Sequence, residues 1–566
     1  MQSSSKRHSV KTSRLLGFFI LFWVLLNFLQ AAFVGIDPDE AYYWLYAQHL
    51  AWGYFDHPPV VALLIKSGET LGHGPVYTRL ATVLLSGGTV YFGFKALPDY
   101  LADVRTYLFV FLSVVLFHVY GFIATPDAAL LFFTTLFFYA YKTYLGKETP
   151  VHTAALALSI TALLYSKYHG VLPVFFTVLS NPKLLKKPSA WAAALLVLLL
   201  FSPHLWWQYQ HDWPTFRYHL SERIASPYAI KKTVNYIAGQ LLIWGPFTTI
   251  PALYFFLKGH RSYSQYERAH LFTFWGVFLF FFISSFRSTI EPHWTLVAGP
   301  SFIILLQGVL KRASLKLKKA YAALSITTIF LLLAGRVLFM LPASPVKKLR
   351  AFDALANAPS WTEKLYRFAQ GRPVVFFNSY RLPAIYQYYY PGAKTWGYNT
   401  VTYRKTQFNL FSDAFLNNGP VCLAGTERWN GYTNFFKNPY DTLYLQSLPA
   451  YTSVSNLKLT LLQEDVKFIA GQKPAVTIQI YNVGNDTLAA KGLSINYTFL
   501  KTRSEQYTPQ STVSFNETFL PPGYKKTLSL PLELPTVAGT YELIFSIVQP
   551  PFAGTFASPF YKVNVN

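Results

Sequence analysis

Apolar and polar positions alternate along this chain on two scales. Up to about residue 341, long apolar runs are separated by short polar breaks; beyond it the runs shrink and the alternation tightens. The apolar runs cover 15–34, 78–97, 106–124, 128–145, 151–165, 170–179, 191–207, 234–257, 271–285, 295–310 and 321–341. Crossing a bilayer takes about 20 apolar residues in a helix, so roughly eleven membrane helices are expected over 1–342, several of them short for a full span. After that, a helical stretch and the buried-looking strand Pro373-Val374-Val375-Phe376-Phe377 predict a soluble α/β segment over 343–451. Val476-Thr477-Ile478-Gln479-Ile480, Thr527-Leu528-Ser529-Leu530 and Tyr541-Glu542-Leu543-Ile544-Phe545 alternate between Gly, Pro and Asn turns. That period of two predicts an antiparallel, immunoglobulin-like β-sandwich over 452–566.

Composition agrees with the pattern. Of 566 residues 52% are hydrophobic, 18% aromatic and 13% charged, against about 25% charged in an average soluble protein. The net charge of +24 does not indicate nucleic acid, because the basic residues fall in short clusters between apolar runs, as topology signals do. Lys6, Arg7, Lys11, Arg14, Lys95, Arg105, Lys142 and Lys147 begin the richer set of alternate loops; Lys66, Arg79, Lys167, Arg217 and Arg287 lie in the poorer set. The positive-inside rule then puts the N-terminus in the cytoplasm and the C-terminal portion outside. The first run is read as an uncleaved helix, since Asp37 follows it where a small-residue cleavage site would be needed. A single cysteine, Cys422, rules out a disulfide framework or a thiolate metal site within one chain.

Chemically loaded residues gather in the loops assigned to the outside. The first holds Asp37-Pro38-Asp39-Glu40-Ala41-Tyr42-Tyr43 and Gly53-Tyr54-Phe55-Asp56-His57-Pro58-Pro59. A carboxylate beside lipid is poorly solvated and is retained for chemistry or transport. If Asp39 begins a short surface helix, then Asp39, Tyr42, Tyr43 and Tyr46 share one face. The other loops carry Asp127 in Thr125-Pro126-Asp127, Lys167 and His169, Arg217, His219 and Arg223, and Arg287 with His293 near Glu291. Each has a plainer alternative: helix N-caps for Asp39 and Asp127, a turn cap for Asp56, snorkelling for Lys167, simple solvation for loop charges. The aromatic run Trp206, Trp207, Tyr209, Trp213, Phe216 and Tyr218 reads first as an interfacial belt.

The ordered set of Asp39-Glu40-Ala41-Tyr42-Tyr43, Tyr54-Phe55-Asp56-His57-Pro58-Pro59, Thr125-Pro126-Asp127 and Lys167 resembles the bacterial branch of the protein mannosyltransferase and aminoarabinose transferase superfamily. The segment from Asn378-Ser379-Tyr380-Arg381 to Tyr403-Arg404-Lys405 is similar to the soluble tail of its members. The resemblance implies a polytopic GT-C fold in a bacterial inner membrane and transfer of a sugar from a polyprenyl-phosphate donor to a protein or glycolipid acceptor. It places the catalytic carboxylate at Asp39, with Asp127 and Glu40 beside it. A departing polyprenyl phosphate needs positive charge held in place, for which Lys167 is the first candidate and Arg217, Arg287 and His293 follow, with Asp56, His57 and His169 expected toward the same phosphate and substrate. His57 departs from the residue that relatives often carry at its position. A divalent ion, magnesium, manganese or zinc, is expected on Asp39 and Asp127 if the branch uses metal. The competing class, a transporter or flippase of lipid-linked sugars, would spread its polar residues toward a midplane path.

Overall fold

The computed structural model describes residues 2–220, 228–245, 263–342, 344–348, 353–437, 441–463, 468–501, 506–509 and 512–566. The chain forms two compact units, Met1–Thr215 with Pro227–Leu355, and Phe216–Ser226 with Ala356–Asn566.

The first unit is helical. Its described helices are α1 (Gln2–Phe33), α2 (Pro38–Gln48), α3 (Val60–Glu69), α4 (Pro75–Ala96), α5 (Val104–Leu112), α6 (Val115–Tyr120), α7 (Pro126–Gly146), α8 (Pro150–Ser166), α9 (Val171–Ser180) and α10 (Pro188–Gln210). Farther along come α12 (Ile230–Ile243), α13 (Gln265–Ser284), α14 (Gly299–Arg312) and α15 (Leu315–Met340), while α11 (Pro214–Leu220) straddles the two units. Among the described residues, five helical stretches are long and apolar enough to cross a membrane: Lys11–Phe33, Pro126–Gly146, Pro188–Gln210, Pro292–Arg312 and Leu315–Met340. Shorter apolar helices run over Pro150–Ser166 and Tyr168–Ser180. The count of eleven therefore does not carry over directly. The run 106–124 is split between α5 and α6, where Ser113 and Val114 interrupt the helical ladder. The second half of the run 234–257 lies outside the described residues.

Proline at the first helical positions of α2, α4, α7, α8 and α10 marks where these helices start, since that position needs no backbone N–H. The core joins one face of α1, α4, α5, α7, α13 and α14 around Trp23, Tyr107, Phe111, Phe138, Tyr141, Phe274 and Phe302. By contrast α10 and α15 bury few of their apolar side chains, as a lipid-facing helix does.

In the second unit, strands Val374–Phe377, Thr395–Tyr398 and Val421–Gly425 pair in parallel with Val374–Phe377 at the centre. Thr442–Leu448 and Asn434–Lys437 extend the sheet antiparallel. The central strand is buried, which is why its sequence is an unbroken apolar run. Beyond residue 452 the structure is β-rich: Leu457–Leu461, Ala475–Asn482 and Lys525–Pro531 form one antiparallel sheet, and Ser494–Leu500 and Gly539–Val548 form the spine of another. The alternating segments read from the sequence fall inside these strands.

Candidate functional site

The site is organised by Glu40. Asp37 caps α2, its carboxylate accepting from the Asp39 backbone N–H at 2.8 Å while Glu40 reaches back to the Asp37 N–H at 3.0 Å. The cap is thus Asp37, and Asp39 stands in the first turn, half-buried. Glu40 is fully buried and meets Arg79 of α4: Nε donates to Oε1 at 2.8 Å and Nη2 donates to Oε2. Arg79 spends its other N–H groups on the carbonyls of Ala31, Val34 and Gly35. Glu40 Oε1 also accepts from the Ala124 N–H at 2.7 Å. Because Ala124 lies just before α7, this carboxylate ties the first turn of α2, which carries Asp39, to the start of α7, which carries Asp127. Expected beside the chemistry, Glu40 is instead occupied by four donors.

Asp127, in the first turn of α7, does not cap that helix; Thr125 holds the cap position. Both of its oxygens accept from Lys167 Nζ, each at 2.8 Å. Lys167 sits in extended backbone at the break after α8 and is buried, not snorkelling. His293 Nε2 lies 3.8 Å from Asp127 Oδ2. The His293 imidazole stands in the fields of Asp127, Lys167, Glu291 and Asp39, and the Tyr120 hydroxyl in those of Asp127, Asp37, Asp39 and Glu291. Their rings are 5.8 Å apart. Tyr120 was not singled out by the sequence, because a tyrosine ending an apolar run looks like any interfacial aromatic.

The second acidic motif forms the adjoining wall. Asp56 is buried, with Oδ2 accepting from the Tyr42 hydroxyl at 3.2 Å and the Tyr46 hydroxyl at 3.3 Å. The predicted face of α2 is therefore real, and its tyrosines bridge the two acidic motifs. Burial comes first, and the nearby Tyr42 and Asp56 next, in holding the Tyr46 hydroxyl well above its usual pKa. Tyr54 stacks on Tyr46 with ring centroids 4.1 Å apart and donates to the carbonyls of Tyr46 and His49. Its hydroxyl is pushed up to about 12 by burial. His57 packs edge-on to Tyr43 at 5.5 Å. Thr215, in the first turn of α11, donates to the Phe55 carbonyl at 2.8 Å and anchors the Asp56 loop.

Other expected residues fall elsewhere. The His169 ring packs against Phe281 and Trp294, both at 5.1 Å, so it buttresses the His293 segment. Arg287 is exposed in the turn after α13, with no side-chain ion pair among the described residues. Arg217 is exposed on α11 and belongs to the second unit. His219 and Arg223 carry side chains outside the description. For the expected divalent ion the donors do not fit: Lys167 occupies the cation's place on Asp127. Among the described residues no group of three His, Cys, Asp or Glu side chains is gathered to hold a metal, whereas hard cations need several oxygens.

A buried ammonium–carboxylate pair beside a half-buried carboxylate, set at the ends of apolar helices, marks a multi-pass membrane protein with a polar site built into its helical unit. Residues 56–207 match the family model described as dolichyl-phosphate-mannose-protein mannosyltransferase. The chain is 27% identical over 274 residues to the lipid A galacturonosyltransferase RgtD of Rhizobium johnstonii, covering 44% of this chain and 54% of that protein, so it spans about half the length of this curated relative. Its fold resembles that of ArnT from Cupriavidus metallidurans in the apo state, at TM-score 0.56 and 12% identity over 76% of this chain and 98% of that one. ArnT bound to undecaprenyl phosphate gives TM-score 0.56 at 14% identity, with the same coverage. Family model, relative and fold all support the resemblance carried by the motifs, to the protein mannosyltransferase and ArnT-like GT-C superfamily.

Proposed function

We propose that this protein transfers a sugar from a polyprenyl-phosphate donor to an acceptor hydroxyl or phosphate on a surface glycolipid or protein, at the outer face of a bacterial inner membrane. The single observation that carries the reading is the convergence of Asp39, Asp127, Lys167, His293 and Tyr120 from four separate stretches of chain. Charged groups collected at one end of the helices suit an enzyme better than a conduction path through the midplane.

Asp39 is the general base in this reading. It takes the proton of the acceptor O–H as that oxygen attacks the anomeric carbon, because an unassisted hydroxyl is a poor nucleophile. The bond from the anomeric carbon to the phosphate oxygen breaks, and the electron pair leaves with polyprenyl phosphate. Fixed donors help most where negative charge develops. Lys167 has three N–H groups, of which Asp127 takes two, and in this reading the third meets the leaving phosphate. His293 and Tyr120 flank it as further donors. Asp56, held by two tyrosine hydroxyls, faces the sugar with an ordered polar wall, and Glu40 positions Asp39 without touching substrate.

Asp39→Asn preserves the shape of the turn and removes the base. Surface glycolipids and glycoproteins compared by mass spectrometry between this variant and a deletion strain should lose the same sugar mass, which would identify the acceptor. Wild-type glycan in the variant would overturn the assignment.

A further inference from the structure

The C-terminal end of α10 presents two faces. Trp206 and Tyr209 are exposed, whereas His204 and Gln208, one helical turn apart and so on the same side, are fully buried. These two side chains belong to a chain of hydrogen bonds that begins and ends on the loop before Asp56. His204 Nδ1 donates to the Trp52 carbonyl at 2.6 Å, which leaves Nε2 of the neutral ring to accept from the Tyr168 hydroxyl at 2.8 Å. That hydroxyl accepts in turn from Gln208 Nε2 at 2.9 Å. The same nitrogen donates its second proton to Thr215 Oγ1 at 2.9 Å, and Thr215 donates its own to the Phe55 carbonyl at 2.8 Å. Gly53 lets the loop come this close, because a Cβ there would stand 2.5 Å from the Trp207 ring and 2.9 Å from His204 Nδ1. All of these residues belong to the first unit.

The middle of the chain reaches the other arm of the site. Tyr168 follows Lys167, and their side chains part company: Lys167 goes to Asp127, Tyr168 to α10. Lys167 lies in extended backbone between α8 and a short 3-10 turn. The regular helical ladder is interrupted there, and the Tyr168 hydroxyl supplies a side-chain anchor. Gln208 thus gives one N–H to the arm that carries Lys167 and the other to the loop that carries Asp56. Its Oε1 is buried with no hydrogen-bond partner among the described residues. An unpaired buried acceptor costs about 1–3 kcal/mol, and an apolar side chain of the same length would pack there without that cost. What the amide supplies is two donors in one plane.

We infer that Gln208 is a positioning residue that sets the spacing between Lys167, assigned above to the leaving phosphate, and Asp56, assigned to the sugar. The inference rests on that reading and names the side chain that matches the site to the span from phosphate to sugar ring in the donor. Gln208 acts through Tyr168 and Thr215 and does not itself touch substrate.

The test titrates the full chain in detergent micelles with undecaprenyl phosphate and with undecaprenol, followed by native mass spectrometry. Wild type should prefer the phosphate. Gln208→Met and Tyr168→Phe remove the donors and the hydroxyl without adding charge. Each should weaken undecaprenyl phosphate binding about tenfold, the scale of one charge-assisted hydrogen bond, and leave undecaprenol binding unchanged. In the Lys167→Met, Asp127→Leu double variant the phosphate preference should be gone, and Gln208→Met should add nothing to that loss, because it acts through the same group. Thr215→Val should lower the sugar mass on surface glycans, and Thr215→Ser, which keeps the hydroxyl, should restore it. An unchanged phosphate preference in Gln208→Met and Tyr168→Phe, or equal weakening of both lipids, would overturn the inference, the latter by making the role structural only. Equal binding of the two lipids by wild type would overturn the transfer reading itself, so the two failures are told apart.

Discussion

Arg79 and Glu40, 39 residues apart in sequence, meet as a two-pronged ion pair with both side chains withdrawn from water. One carboxylate thereby joins α1 through the carbonyls that Arg79 collects, α2 through the capping box, and the entry to α7 through Ala124.

Removing one partner of a buried ion pair leaves a charge stranded, at a cost of about 3–5 kcal/mol. Glu40→Ala and Arg79→Ala should therefore lower the thermal midpoint of the purified protein and its yield in membranes. Asp39→Asn should leave both unchanged. Equal destabilisation by all three would assign Asp39 a structural role.

Lys167 and Asp127 should behave as a coupled pair. Lys167→Met and Asp127→Leu are each expected to destabilise strongly, while the double variant should be more stable than either, because apolar residues of similar volume can replace a buried pair at little cost. All three should lack transfer activity. Strict additivity of the two single effects, measured by detergent-solubilised unfolding, would show that the pair is not coupled.

The tyrosine wall predicts an alkaline limit to stability. Tyr54 has its hydroxyl pushed up to about 12 by burial, and Tyr46 is also raised. Folded protein keeps these protons after the unfolded chain has lost them, so the contribution is fully present below about pH 10 and is lost as pH rises toward the folded values. Each group contributes a slope of about 1.4 kcal/mol per pH unit in that window. Tyr54→Phe should start from lower stability, having lost its hydrogen bonds, yet decline less steeply between pH 10 and pH 12.

Cys422 lies in the buried strand Val421–Gly425, where burial pushes its thiol up to about 12 despite the opposing effect of Arg372. The reactive form is the thiolate. Iodoacetamide at neutral pH should leave it unmodified in native protein and alkylate it once the second unit unfolds, giving a direct reporter of that unit's stability by mass spectrometry.

The apolar runs, the change of period near residue 342 and the proline-marked helix starts are local properties of consecutive residues, and they defined the helical unit and the β-rich tail. The motifs around Asp39, Asp56, Asp127 and Lys167 were equally legible, because charge beside lipid is costly enough to stand out in one dimension. Other features depended on contacts between residues far apart in the chain. Asp39 and Glu40 are neighbours with similar chemistry, and only the position of Arg79 makes one a buried strut and leaves the other half-open. Asp127 had the look of a helix cap until Lys167, 40 residues away, was seen to take both its oxygens. Tyr120, and the hydrogen bonds that Gln208 gives to Tyr168 and Thr215, carry no local signature at all. Periodicity and hydropathy decide which segments are buried; which carboxylate is sealed into an ion pair is decided by where the packed helices bring their cations.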